Sequence, residues 1–154
     1  GAETLLYPCP HRGTVRATSN SNCWILDAEV YRRVLRETRQ RQWDDMLGAL
    51  ADAEPLAHLS EEQQRRAADA CEQLDFGEGD VVWRADGAPC AFLVREGSLQ
   101  EVAEDGSVLA EAGAGEVACG AALTEDEVVA HQVVATSGGF CFRVDRAALR
   151  RVVD

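Results

Sequence analysis

The sequence predicts an α+β fold: an antiparallel, jelly-roll-like β-roll flanked by helices, preceded by the C-terminal part of a like domain. Three observations carry this. First, the chain repeats itself 118 positions apart, with nine identities in twenty positions and no gap. Val15, Ala17, Thr18 and Ser19 return as Val133, Ala135, Thr136 and Ser137; Cys23 and Asp27 return as Cys141 and Asp145; Arg32, Arg33 and Val34 return as Arg150, Arg151 and Val152. A period this long is that of a whole domain rather than of a short stacked repeat. Second, from Phe76 onward apolar residues recur at period two in short runs broken by glycine turns, the mark of a β-roll or barrel. Third, the stretches outside these runs carry helix caps and helical spacing.

In chain order, residues 14–18 and 23–26 read as two short strands joined by the polar turn Ser19-Asn20-Ser21-Asn22. Asp27 is placed to cap a helix whose apolar stripe is Val30, Tyr31, Val34 and Leu35. The stripe fades past Arg36, with softening near residues 38–40, then resumes as Trp43, Met46, Leu47 and Leu50. Gly48 and the run to Pro55 mark a break. Ser60-Glu61-Glu62-Gln63 is a capping box, and Ala67, Cys71 and Leu74 form the inward face of the helix it opens.

Strands are expected at residues 81–84, 91–95, 98–102, 108–111, 128–136 and 140–144, in a roll of about eight strands. The intervening turns have suitable chemistry: Gly77-Glu78-Gly79-Asp80, Asp86-Gly87-Ala88-Pro89, Glu96-Gly97 and Glu104-Asp105-Gly106-Ser107. Asp145 then caps a closing helix, as Asp27 does in the first copy. The domain boundaries that follow are 1–36 for the tail of the first copy, 37–58 for a helical connector and 59–154 for the complete second domain.

Composition narrows the function classes. Net charge is −12, which argues against nucleic acid or an anionic membrane as partner. No apolar run reaches membrane-spanning length. The six cysteines and three histidines lack zinc or haem spacing, so no metal site is expected. Cys23 and Cys141 stand at matching repeat positions beside aromatics and read as buried free thiols, which points to a cytoplasmic compartment. Trp24, Trp43 and Trp83 read as core or inter-domain anchors. The arginines between Arg32 and Arg41 read as a solvated helix face, since Glu29, Glu37, Asp44 and Asp45 accompany them.

With Phe76-x-x-Gly79-Asp80-Val81-Val82, then Phe92-Leu93-Val94-Arg95-Glu96-Gly97-Ser98, then Ala112-Gly113-Ala114-Gly115-Glu116, the chain resembles the cyclic-nucleotide-binding domain family. Leu5 to Val15 resembles the phosphate-binding cassette of the same family. The resemblance implies a cassette that supplies a Gly-Glu pair and, nine residues after the Glu, an Arg. The carboxylate accepts from the ribose hydroxyl and the guanidinium pairs with the cyclic phosphate. Helix-end amides complete the cradle.

On this register the complete copy has Gly120 where the Glu belongs and Val129 where the Arg belongs, with Glu125, Asp126 and Glu127 just before it. Losing the Arg costs about 2–5 kcal/mol, or on the order of 10–1,000-fold or more in affinity. The alternative is that Arg143 or Arg146 substitutes. In the first copy, Ala2 and His11 hold the two positions in gap-free register, while Glu3 and Arg12, one residue later, retain the nine-residue spacing. Glu3 and Arg12 are therefore the candidate ligand-binding residues, and the alternative is that both are solvated surface charges.

Tandem domains joined by a helix, one of them degenerate, resemble the regulatory regions of cGMP- and cAMP-dependent protein kinases, most of all the apicomplexan cGMP-dependent type. The resemblance implies a non-catalytic regulatory module of a serine/threonine kinase. Its partners are neighbouring cyclic-nucleotide-binding domains and a kinase domain, with cGMP or cAMP bound by an intact neighbour and no other cofactor. Residues 1–36 are too apolar to stay solvated and should pack on the second domain or on another chain. The alternatives are a functional cyclic-nucleotide sensor and a cupin-like metalloenzyme. The latter needs clustered histidines on the roll, where only His131 lies.

Overall fold

The computed structural model describes residues 3–7, 9–10, 13–124 and 130–153. The chain forms two compact units, Gly1–Trp43 and Asp44–Asp154.

In the first unit, α1 (Glu3–Leu6) comes first, residues 13–27 lie in neither helix nor strand, and α2 (Ala28–Asp52) then begins. Asp27 caps α2 as expected, its Oδ1 accepting from the amides of Glu29 (2.9 Å) and Val30 (3.0 Å). The expected strands at 14–18 and 23–26 do not form. A strand needs a neighbour to satisfy its amides, and among the described residues of the first unit there is no other strand. Val15 is 99% exposed, Trp24 102% and Ile25 92%, and Cys23 is exposed too. The expectations of a buried Cys23 and an anchoring Trp24 are therefore not met within this chain. Thr38, Arg39 and Gln40 show no interruption of the helix, and Gly48 does not break it either. The chain leaves α2 only after Asp52, where Pro55 opens a short 3₁₀ turn, Glu54–Leu56.

The described residues of the second unit form a sheet of six antiparallel strands with its helices, where about eight strands were expected. Along α2, Met46, Ala49 and Leu50 are buried. The capping box at Ser60 is formed: Gln63 N–H donates to Ser60 Oγ (3.3 Å), and Ser60 N–H donates to Gln63 Oε1 (3.0 Å). It opens α3 (Glu61–Asp69), which is shorter than expected. Cys71 and Leu74 belong to β1 (Cys71–Phe76), because this segment pairs with the last strand, Cys71 facing Val144 and Leu74 facing Cys141.

β2 (Val81–Arg84) lies where the period-two pattern placed it. The next two expected strands are one, β3 (Cys90–Val102), and the last two are also one, β6 (Gln132–Asp145). The order is β1-β6-β3-β4, with β4 at Val108–Ala112; β2 pairs with β6, and β5 (Val117–Ala118) pairs with β3.

Glycine explains why two pairs of strands merge. The β3–β6 register shifts three times between Val94 and Leu99. There Gly97 holds φ +82° and lies against Gly138 and Gly139. A Cβ on Gly139 would run into the Glu96 carbonyl and meet Gly97 N at 2.8 Å. Two long strands thus bend together without losing their ladder. Glu96-Gly97 is a bulge, not a chain reversal.

The sheet encloses a core of Phe76, Trp83, Phe92, Leu99, Val133 and Cys141 with smaller neighbours. Trp83 Nε1–H donates to the Ala88 carbonyl at 3.0 Å, so its one polar atom is satisfied. The closing helix α5 (Arg146–Val153) is capped by Asp145, whose Oδ1 accepts from Ala147 N (2.8 Å) and Ala148 N (3.2 Å).

The repeat is visible in the helices. α1 begins at Glu3 and α4 (Ala121–Thr124) at Ala121, 118 residues on; α2 begins at Ala28 and α5 at Arg146, again 118 on.

Candidate functional site

The cassette of the complete domain is built on β3. Gly113 and Glu116 close a turn, with Glu116 N–H donating to the Gly113 carbonyl (3.0 Å) and Gly113 N–H to Glu116 Oε2 (2.8 Å). Gly115, at φ +88°, turns the chain within it. Val94 anchors this turn from β3, exchanging bonds with Gly115 (2.9 Å) and Glu116 (3.0 Å). β5 then pairs with Phe92 and Leu93, and α4 starts three residues later.

Between them sits Cys119, the one described non-glycine residue with positive φ, at +54°. That conformation costs about 1–2 kcal/mol for a residue with a Cβ. Its amide N–H donates to Glu101 Oε1 of β3 at 2.6 Å. Burial, and after it the Glu101 carboxylate, push the Cys119 thiol up to about 12. A charge-assisted bond of this kind is worth about 1.5–3 kcal/mol, enough to offset the backbone strain.

Gly120 is half-buried, and a Cβ there would meet only Pro55 Cγ at 3.4 Å and Val117 Cγ1 at 3.5 Å. Position 120 therefore has room for a Cβ at ordinary contact distance. Ala118, Ala122, Ala130 and Val133 are buried around the cassette, so its inner side is apolar. From 113 to 129 the sequence contains neither Lys nor Arg. Val129, Glu125, Asp126 and Glu127 lie outside the described residues.

Arg143, the alternative cation, is paired with Glu72 and Asp145 at 3.9 Å each. The Arg146 amide donates to the Pro89 carbonyl at 3.0 Å.

In the first copy, Glu3 is the first residue of α1, and Arg12 and His11 lie outside the described residues. The structure adds a residue that sequence reasoning passed over. Arg32 on α2 reaches back to α1, its Nε donating to the Leu5 carbonyl (2.8 Å) and a terminal nitrogen to the Thr4 carbonyl (2.9 Å). It had read as part of a solvated face. Its repeat partner Arg150, on α5, lines a groove of about 160 Å³ with Leu123 and Thr124 of α4.

Glu101 was also missed. Its signal in the sequence is a carboxylate two residues after the buried Leu99, on the same face of a strand under period two.

Among the described residues, no three His, Cys, Asp or Glu side chains gather as a metal would require. No described helix is long and apolar enough to cross a membrane.

The sequence profile of the cyclic nucleotide-binding domain matches residues 73–154, more than half of the chain. The chain belongs to the cyclic nucleotide-binding domain family. Its relatives include the cAMP-dependent protein kinase regulatory subunit of Blastocladiella emersonii, 31% identical over 102 residues, which covers 66% of this chain and 25% of that protein. They also include cGMP-dependent protein kinase 2 of Mus musculus, 24% identical over 160 residues, covering 99% of this chain and 21% of that protein. The chain thus spans a fifth to a quarter of the length of these relatives. Among solved structures, the regulatory domain of Toxoplasma gondii PKA crystallised with cAMP superposes with a TM-score of 0.66 at 18% identity, covering 83% of this chain and 51% of that one. It shares the roll of antiparallel strands and flanking helices.

Proposed function

We propose that this chain is a regulatory segment of a cyclic-nucleotide-dependent serine/threonine kinase, cGMP being the nucleotide, and that its complete cyclic nucleotide-binding domain does not bind nucleotide and acts as a structural relay. The observation that carries this reading is the chemistry of the second cassette. The family's Glu position is Gly120, the Arg position is Val129, no cation occurs from 113 to 129, and a carboxylate already sits on the Cys119 amide. An anionic ligand would gain no ion pair there and would meet like charge.

On the same reading, residues 1–36 are the cassette, last strands and closing helix of a first domain, 37–58 a connector and 59–154 the degenerate domain. Val15, Trp24 and Leu26 correspond to Val133, Phe142 and Val144, which are 0%, 1% and 2% exposed in the complete copy. Side chains of that pattern call for a roll to cover them, from neighbouring sequence of the parent protein or from another chain. Glu3 and Arg12 would serve the nucleotide in that intact first domain, and α2 would carry its state onward. A cytoplasmic location and a kinase domain as partner belong to the proposal.

The test is calorimetric titration of cGMP and of cAMP into the purified chain. No saturable binding at low micromolar nucleotide is expected. Saturation in that range would make the domain a working nucleotide sensor and overturn the reading.

A further inference from the structure

Glu101 is held by two neighbours. Its backbone lies next to the C-terminal end of β3, between two neighbouring strands, facing Ala110 of β4 on one side and Val133 of β6 on the other. Its side chain is half-buried and its Oε1 lies 2.6 Å from the Cys119 amide nitrogen, eighteen residues along the chain. That amide belongs to the turn that leads into α4, where the strained φ of Cys119 aims the N–H at the carboxylate. The same carboxylate acts on the buried Cys119 thiol.

We infer that Glu101 is the resident anion of this cassette: it closes the entry turn from within and bars an external anion independently of the missing Glu and Arg. This rests on the reading that residues 113–129 are a cassette that has lost its ligand chemistry. It also deepens that reading. Placing Glu at 120 and Arg at 129 leaves a fixed carboxylate on the turn, and Gly120→Glu adds a second one at the residue after the amide that Glu101 holds. Rebuilding an anion site here requires three changes, not two.

The inference is tested with position 101 as Glu, Gln or Ala in two backgrounds of the whole chain. In the unaltered background, hydrogen exchange at the Cys119 amide is read without ligand. Glu101→Ala should speed it on the order of tenfold or more, the weight of one charge-assisted hydrogen bond. Glu101→Gln, which keeps the shape and a neutral acceptor, should fall between, and circular dichroism checks that each variant is folded.

In the background Gly120→Glu with Val129→Arg, cGMP and cAMP are titrated calorimetrically. Removing the carboxylate should tighten binding on the order of tenfold or more relative to the same protein with Glu101. Unchanged exchange, equal affinities at all three residues, or no binding by any variant overturns the inference. If the unaltered chain itself binds nucleotide, the proposed non-binding role fails. The role of Glu101 is then decided by whether Glu101→Ala strengthens that binding tenfold or leaves it alone.

Discussion

Replacing Gly139 by Ala adds one methyl group where the β6 backbone lies tight against that of β3. The new Cβ would collide with the Glu96 carbonyl, with Gly97 N at 2.8 Å. These obstacles are main chain held in a ladder on both sides, so no side chain can rotate away. Relief requires the two strands to separate at their common bend, which disturbs the packing of Phe76 above Gly97 as well. Overpacking of this kind costs about 1–3 kcal/mol and sometimes more; with backbone as the obstacle, about 3 kcal/mol is expected. For a domain of this size that is roughly 10 °C or more in Tm.

The control is the same substitution at Gly48. It is exposed within α2, and its Cβ would meet nothing within 4 Å. There Ala should stabilise by about 0.8–1 kcal/mol through helix propensity. Urea unfolding followed by far-ultraviolet circular dichroism compares both variants with the parent. A Gly139→Ala midpoint within about 0.5 kcal/mol of the parent would refute the close approach of the two strands. Identical signs for the two substitutions would refute the local accounting altogether.

Asp145→Ala should cost about 0.5–2 kcal/mol by freeing the amides of Ala147 and Ala148, and loss of helicity confined to α5 would be seen by amide exchange. Of the six thiols, Cys9 and Cys23 should react with a disulfide reagent in the native state near neutral pH, while Cys71, Cys90, Cys119 and Cys141 react only on unfolding. Burial pushes Cys71, Cys119 and Cys141 up to about 12 from an ordinary 9.0, so the native state holds protons that the unfolded state releases. Their contribution is fully present below about pH 9 and is lost as the pH rises toward 12, so the urea midpoint should fall between pH 8 and pH 11, less steeply in Cys141→Ala.

Much of the roll could be read from local chemistry. The Ser60 capping box, the caps at Asp27 and Asp145, the strand at 81–84 and the glycine turns at 77–80, 86–89 and 104–107 depend on residues within four positions of one another, and they formed as expected; Glu96-Gly97, expected as a turn, is a bulge within β3. The merging of strands depends on Gly97 meeting Gly138 and Gly139 some forty residues away, which no local pattern states. Cys71 and Leu74 have spacing compatible with a helix, and only the pairing with Val144 and Cys141 makes them a strand. In the first copy the strand pattern is correct in its repeat, but a pattern does not supply the neighbour that a strand needs. At the candidate site, Gly120 and Val129 were singled out by spacing alone. The carboxylate that closes the turn was not, because Glu101 acts through a contact across the fold.

Arg32 grips α1 through the carbonyl oxygens of Leu5 and Thr4. Every residue type carries a carbonyl, so the grip is indifferent to which side chains the cassette helix displays. Glu3-Thr4-Leu5-Leu6 and Ala121-Ala122-Leu123-Thr124 share no residue in register except leucine at the third place, yet each forms a helix of four residues at the same offset from an arginine. Selection on what a cassette recognises and selection on what it is fastened to therefore act on different atoms. On the proposed reading, a cassette that loses its recognition chemistry need not lose a contact made through its backbone, and such a domain would serve as a mechanical part rather than a ruined receptor.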